Sequence, residues 1–314
     1  MTKIQATIET HDLTKYFGTI QALDNLNLQD GGNISGFVGP NGAGKTTTLH
    51  ILLGFIKPSL GNATVFGLDT WNQSFQIREK VGFLQEKPHY PCAFTGRRFL
   101  EYIAKFHNLS QPKQKANQIL NEVDLASASE KQIKTYSAGM LQRLGLAQAL
   151  VSEPELVILD EPTANLDPTG RLDLLEKIEH LQKDKGIKFF ISTHILSELE
   201  KVCNWVSIIN NGTIVDQGYM QDLTTKYSAR IYKITVTKPQ NLLEALENQP
   251  YIEKAWQEEN DVFAQVKDTE AFLQGISQIT AQQNMKIKEL RSLYSALEEI
   301  YDVAVRRKKI DQLS

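Results

Sequence analysis

Eight residues, Gly39-Pro40-Asn41-Gly42-Ala43-Gly44-Lys45-Thr46, satisfy every fixed position of the phosphate-binding pattern G-x-x-x-x-G-K-[ST]. Gly42 and Gly44 let the backbone turn its N–H groups inward with no Cβ in the way. A helix opening at Lys45 adds about half a positive charge from its dipole. Lys45 is then placed to reach the β- and γ-phosphates of a nucleoside triphosphate, and Thr46 offers a hydroxyl to Mg²⁺. The alternative is a chance glycine-rich turn. The flanks weigh against it, because the motif needs a strand before and a helix after: Ile34, Phe37 and Val38 precede it, and Leu49, Ile51, Leu52 and Leu53 follow at helical spacing.

A second group of reactive residues lies further along. Leu156-Val157-Ile158-Leu159 reads as a buried parallel strand that delivers Asp160 and Glu161 at its carboxyl end. Beside a P-loop, Asp160 fits the acid associated with Mg²⁺, and Glu161 can take a proton from water. Lys188 to Thr193 reads as another buried strand, and it ends at His194, on the edge where an imidazole can touch a γ-phosphate. Gln85 closes the strand Val81 to Leu84; taken alone it reads equally as a solvated loop residue. Ser137 stands as N-cap of a helix running to about Leu150, its hydroxyl free for first-turn amides or for a phosphate. Tyr16 and Phe17 shortly precede Ala22, so one ring can stack on a purine base or simply pack in the core.

These residues must be held by a large scaffold. The chain of 314 residues predicts two domains, since domains run about 100 to 200 residues. The first spans residues 1–227. It predicts an antiparallel lead-in sheet over 7–38, a helical stretch from Pro88 to about Val123, and a helix over roughly 169–184 after the turn Asn165 to Pro168. A helix from Leu196 to Val202 precedes a hairpin around Asn210-Asn211-Gly212. In the helical stretch, Phe99, Tyr102, Ile103 and Phe106 repeat at helical spacing, which suits core packing or a groove for a partner helix. The second domain, 228–314, reads as a small split βαββαβ unit with a last helix over Leu293 to Val305. Its end, Arg306-Arg307-Lys308-Lys309, reads as a solvated tail or a lipid or partner contact.

Composition narrows the function classes. Lys and Arg number 34 against 37 Asp and Glu, a net charge of −3 that argues against a nucleic-acid partner. Cys92 and Cys203 lack zinc or disulfide spacing and read as two buried thiols. No run of about 20 apolar residues is present, nor a basic-then-apolar leader. Work at a membrane therefore requires a partner that supplies the span.

The order of these motifs resembles one family, the ATP-binding cassette (ABC) ATPases. Gly39 to Thr47 is similar to their Walker A, Gln85 to their Q-loop and Ser137-Ala138-Gly139-Met140-Leu141-Gln142 to their signature. Leu156 to Glu161 resembles Walker B, Asn165 to Asp167 the D-loop, and His194 the switch histidine. The likeness covers residues 5 to about 227. It implies an α/β fold: a P-loop NTPase cassette with a mixed sheet core, an antiparallel β subdomain and a helical subdomain, here followed by a small C-terminal α+β domain. Ala138 departs from the usual Ser-Gly-Gly; at positive φ its methyl group costs about 1 kcal/mol. The family's stacking aromatic aligns with Phe17 rather than Tyr16.

The resemblance also implies roles. ATP and Mg²⁺ are the cofactors. Phe17, Tyr16, Ala22 and Gly39 through Thr47 hold the nucleotide, and Ser137, Ala138, Gly139 and Asp167 belong to the same set. Thr46, Gln85 and Asp160 attend the metal; Glu161, His194, Gln85 and Lys45 act in hydrolysis. Two cassettes sandwich two ATP head to tail, each using the other's signature, so the unit is a homodimer or a pair with a close paralogue.

The single cassette with a C-terminal segment, ending in Leu297-Glu298-Glu299-Ile300-Tyr301, resembles ATPase subunits of bacterial drug, bacitracin and sodium exporters. Such a subunit lies on the cytoplasmic face of the membrane, held by a separate permease whose coupling helix enters the region Pro88 to Phe106. Substituting Tyr90 or Phe94 then uncouples transport and spares basal ATPase. The rival class, a soluble cassette acting on ribosomes or DNA, usually carries two cassettes or long coiled-coil insertions, and neither is present. Glu161→Gln is expected to trap an ATP-bound dimer and lower turnover by about 10² to 10⁴, the range for a positioned base; steady-state hydrolysis near the wild-type rate would remove Glu161 from that role.

Overall fold

The computed structural model describes residues 6–195, 199–227 and 231–292. They divide into two compact units, one reaching Leu223 and the other beginning at Thr224. In the first unit, β1 (Ile8–Phe17) and β2 (Ile20–Leu26) form a hairpin, and β4 (Leu60–Val65) and β5 (Leu68–Asp69) extend it into an antiparallel sheet ordered β2-β1-β4-β5. The strand before the P-loop, β3 (Ile34–Val38), leaves that sheet for a six-stranded one. The others are β6 (Val81–Leu84), β7 (Leu156–Asp160), β8 (Lys188–Thr193), β9 (Trp205–Asn210) and β10 (Thr213–Tyr219), ordered β10-β9-β3-β8-β7-β6. Only the β9–β10 pairing is antiparallel.

Every residue of β3 and of β7 is buried, the polar Ser35 and Asp160 included, so neither strand shows the alternation of a half-exposed one. The two sheets share one core. Leu13, Leu23, Leu26 and Val65 from the antiparallel sheet meet Phe37, Ile158 and Phe190 across α1 (Lys45–Leu52), which contributes Leu49, Ile51 and Leu52. Each such side chain, fully buried, contributes about 1.5–3 kcal/mol. The parallel register sets Val38 beside Thr193, Asp160 beside Ser192 and Leu84 beside Leu159. The carboxyl ends of β3, β8, β7 and β6 therefore open on a single edge, the edge of an α/β sheet where ligands bind.

The Asn210-Asn211-Gly212 hairpin forms as its residues dictate, with φ of 47° at Asn211 and 74° at Gly212. Its tip has a second task. The Gly212 N–H donates to the Ala43 carbonyl at 2.9 Å, and the Gly212 carbonyl accepts from Asp24 N–H at 2.9 Å. A methyl group at Gly212 would stand 2.8 Å from the Ala22 carbonyl oxygen, so only glycine fits between the P-loop and β2.

The other helices of the unit are α2 (Ser74–Lys80), α3 (Gly96–Phe106), α4 (Pro112–Glu122), α5 (Ala138–Leu150) and α6 (Pro168–Lys185), and the boundary between the units falls within α7 (Met220–Tyr227). The helical stretch begins later than its sequence suggests. Residues 88–95 are irregular, because Pro88 and Pro91 interrupt the ladder and Thr95 caps α3 by accepting from Arg98 N–H. The covered stripe of α3 is also shifted. Phe99, Leu100 and Ala104 are buried, whereas Tyr102 and Phe106 are 59% and 76% exposed. Core packing thus holds for Phe99 and fails for the other two rings.

The second unit alternates β11 (Ile231–Val236), α8 (Pro239–Glu247), β12 (Ile252–Glu258), β13 (Asp261–Val266), α9 (Thr269–Gln282) and β14 (Ile287–Ser292). Its sheet is antiparallel and ordered β12-β13-β11-β14, the split βαββαβ arrangement. Ile234, Val262 and Ala264 on the sheet and Leu242, Leu246, Phe272 and Ile276 on the helices form its own core. The expected helix over Leu293 to Val305, the Leu297 to Tyr301 motif and the basic end at Arg306 to Lys309 lie outside the described residues, as do residues 196–198 of the helix expected from Leu196.

At Gly82 helix α5 meets β6 backbone to backbone: a methyl group there would stand 2.1 Å from the Ala149 carbonyl oxygen. Gly82→Ala is expected to lower stability by about 1–3 kcal/mol, the cost of overpacking, measured as a shift in the urea midpoint. An unchanged midpoint would show that α5 is free to back away.

Candidate functional site

The P-loop wraps over the end of β3. Gly42 and Gly44 have φ of 79° and 106°, and Gly42 borders open space on the side where a Cβ would sit. Pro40, Asn41, Gly42, Gly44, Lys45, Thr46 and Thr47 line a cavity of about 370 Å³ together with Ala22. Gly39 and Ala43 support the loop from behind, Ala43 buried and Gly39 packed against the backbone of Ile209. Lys45 is buried and donates to the carbonyls of Gly39 at 2.7 Å and Pro40 at 3.2 Å. This curls the loop around its own ammonium group.

The facing wall comes from β7 and β8. The Lys45 ammonium stands 3.1 Å from Glu161 Oε1, and Glu161 Oε2 lies 2.8 Å from His194 Nδ1. Because Lys45 directs its hydrogens at carbonyls, it meets Glu161 as a charge, and Oε1 remains a buried acceptor without a hydrogen bond. Glu161 takes φ of 49°, a left-handed conformation uncommon for a side-chain-bearing residue and concentrated at functional sites. Its N–H donates to the Ser192 carbonyl at 3.0 Å and to the Ser192 hydroxyl at 3.2 Å, which fixes that turn. Beside it, Thr46 Oγ1 donates to Asp160 Oδ2 at 3.0 Å, and Ser192 Oγ donates to Asp160 Oδ1.

The pair Thr46 and Asp160 is a set of hard oxygen donors that suits Mg²⁺. Among the described residues no cluster of three or more His, Cys, Asp and Glu forms an all-protein metal site. Mg²⁺ bound here would share its coordination with phosphate and water oxygens, as this ion prefers.

The remaining candidates divide. Ser137, Ala138, Gly139, Asn165 and Asp167 line a separate cavity of about 320 Å³. Ser137 caps α5 by accepting from Met140 N–H at 3.3 Å, and Asp167 is the N-cap residue of α6. Ala138 is not among the residues at positive φ, so the strain that its methyl group would cause there does not arise. Tyr16 and Phe17 are 43% and 46% exposed at the end of β1 and line neither cavity.

Gln85 is not brought into the P-loop cavity: it is exposed, its amide donates to the Lys87 carbonyl at 3.3 Å, and Glu86 lines the cavity instead. Tyr90 reaches Leu141 of α5, and Phe94 lies under the Arg98 guanidinium. A groove of about 730 Å³ beside α3 is lined by Leu53, Phe55, Phe75, Phe83, Ile103 and Phe106 among others, and by neither of those rings.

The profile described as ABC transporter matches residues 23–164. The bacitracin transport ATP-binding protein BcrA of Bacillus licheniformis is 41% identical over 211 residues, which cover 67% of this chain and 69% of that protein. The chain belongs to the ABC transporter family. It is an ATP-hydrolysing nucleotide-binding cassette with the P-loop ABC ATPase fold. The daunorubicin resistance ATP-binding protein DrrA3 of Streptomyces coeruleorubidus is 29% identical over 303 residues, 95% of this chain and 92% of that one. Among solved structures, the cassette MJ0796, a dimer in a post-hydrolysis state bound to ADP and Pi, superposes with a TM-score of 0.61. It is 22% identical and covers 68% of this chain and 98% of its own.

In this ABC cassette, Ser192 and Glu86 were not visible as site residues. Ser192 sits inside a buried strand with no motif to mark it, and its value lies in two partners 31 and 32 residues away. Ser192→Ala removes a hydroxyl from a buried carboxylate, and is expected to cost about 1–3 kcal/mol of stability, read by chemical denaturation. No loss would mean that Asp160 is held in place without it.

Proposed function

We propose that this chain is the ATP-hydrolysing subunit of a membrane exporter, working as a dimer around two ATP and driving a separate permease. The observation that carries the reading is the division of the candidate residues between two cavities: Lys45, Thr46 and Glu161 line one, Ser137 and Gly139 the other. A nucleotide held by the P-loop has no signature residues around it in its own cavity. A second copy or a close paralogue, turned head to tail, would bring its Ser137, Ala138, Gly139 and Asp167 over that nucleotide. The dimeric state of MJ0796 supports this arrangement.

Within each site, the P-loop amides and Lys45 hold the phosphates, and Phe17 or Tyr16 stacks on the base beside Ala22. Thr46 and Asp160 would hold Mg²⁺, which when bound would supply positive charge to the phosphate oxygens. Glu161, next to Lys45 and His194, accepts the proton of the attacking water; His194 then contacts the γ-phosphate. In this cassette Glu86 faces the phosphate cavity in the position assigned to Gln85. Residues 1–227 form the catalytic domain and 228–314 an accessory one.

Among the described residues no helix is long and apolar enough to cross a membrane. The permease supplies that span and holds the cassette on the cytoplasmic face of the membrane. Its coupling helix fits the apolar groove at Phe55, Phe75 and Phe106, rings left 52%, 69% and 76% exposed. The names of BcrA and DrrA3, bacitracin transport and daunorubicin resistance, support export.

Purifying the tagged chain in mild detergent is expected to recover a polytopic membrane protein, and Phe106→Ala to lose it while keeping basal ATPase. Recovery of ribosomal subunits or DNA-bound proteins without a membrane partner would overturn the transport reading.

A further inference from the structure

The loop that begins at Gln85 is laced to the segment that presents Ser137. Lys134 N–H donates to the Cys92 carbonyl at 3.3 Å and Ile133 N–H to the Phe94 carbonyl at 2.8 Å, with an antiparallel bridge between Thr95 and Gln132. These backbone ties hold the approach to α5. One side chain reaches α5 itself: the Tyr90 hydroxyl donates to the Leu141 carbonyl, in the first turn, at 3.1 Å.

The fit around that hydroxyl is close. A methyl group at Gly145, one turn further along α5, would stand 2.7 Å from the Tyr90 hydroxyl oxygen and 2.3 Å from Leu84 Cδ1. The Tyr90 ring meets Phe99 of α3 edge-on, with centroids 5.3 Å apart. Gln85 and Gly145 line one small cavity of about 150 Å³. Burial pushes the Tyr90 phenol above its ordinary range, so the group stays a neutral donor at working pH.

We propose that Tyr90 is a positioning residue for ATP hydrolysis, tying the Gln85–Glu86 loop to the Ser137 turn so that the two move as one body. Glu86 lines the cavity of this chain's own P-loop, and Ser137 lines the other cavity. Only a short link, Lys87-Pro88-His89, separates Glu86 from Tyr90. The tie therefore carries the state of one nucleotide site to the turn offered to the second chain, and it rests on the two-chain reading above.

The test is Tyr90→Phe in the full-length chain, which keeps the ring against Phe99 and removes the hydroxyl. The bond to Leu141 replaces the expectation, drawn from sequence alone, that a Tyr90 substitution spares basal ATPase: turnover with ATP and Mg²⁺ is expected to fall about three- to tenfold, the factor for one net hydrogen bond, with KM for ATP unchanged. In the wild type, ATP should slow hydrogen exchange at the amides of residues 138–142; in the variant that slowing should be lost. Wild-type turnover and exchange in Tyr90→Phe would overturn the proposal, as would a loss accompanied by a raised KM, which places Tyr90 in the support of the P-loop cavity.

A wild-type chain whose amides ignore ATP, and whose specific activity is independent of chain concentration, would overturn the two-chain reading together with the proposal. The two failures are distinguishable because the first leaves the wild-type response intact. Gly145→Ala, which displaces the hydroxyl by sterics, carries the same readouts and the same expected outcome if Tyr90→Phe does not fold.

Discussion

The contact on which the site depends is the one between Lys45 and Glu161, whose side chains are 6% and 9% exposed. The strands that deliver them are not neighbours, since β8 lies between β3 and β7. For the two charges to meet, the P-loop must fold back over the end of β8, and Glu161 must turn out of its strand at positive φ. A buried pair of this kind is poor ballast, because desolvation offsets most of its attraction. Its effect is geometric: it holds a carboxylate, an ammonium and, through His194, an imidazole at one point above the sheet. Ser192 and the hairpin tip at Gly212 serve the same point from outside it.

Much of this was legible in the residues because the chemistry itself is local. A P-loop needs glycine at fixed steps, a buried strand that ends in Asp160-Glu161 advertises its carboxylates, and Asn211-Gly212 has the φ preference of a hairpin turn. The split βαββαβ order of the second unit followed from alternating periods. What escaped depends on partners remote in the chain. Gln85 closes β6 as expected, but whether its amide faces the phosphates or Lys87 is decided by the loop after it. Tyr90 and Phe106 are both aromatic residues near α3, and periodicity does not distinguish a ring that reaches Leu141 from one that remains on the surface. The buried stripe of α3 is clear only when Gly96 and Ala104 are counted with Phe99 and Leu100.

Two glycines show how backbone contact organises the helical part. Gly82 lets α5 lie directly on β6, and Gly145 on the same helix makes room for Leu84 and Tyr90. Helix α5 is therefore positioned by a glycine on each side of its contact with β6 as well as by apolar packing. Its first turn, which carries Ser137 as cap, inherits that placement. The second cavity is in this sense built from the sheet outward, although none of its lining residues belongs to a strand.

The tip of the β9–β10 hairpin has a consequence for how the protein is made. The P-loop is complete in sequence at Thr46, yet the Ala43 carbonyl receives its partner from Gly212, which is synthesised long after it. The same glycine anchors β2 through Asp24. On the ribosome, then, the oldest part of the nucleotide cavity waits for some of the youngest residues of its unit. During that interval β3, buried along its whole length in the finished fold, lacks both β8 and β9. Contacts so distant in the chain slow folding and leave strand edges unpaired until the hairpin emerges.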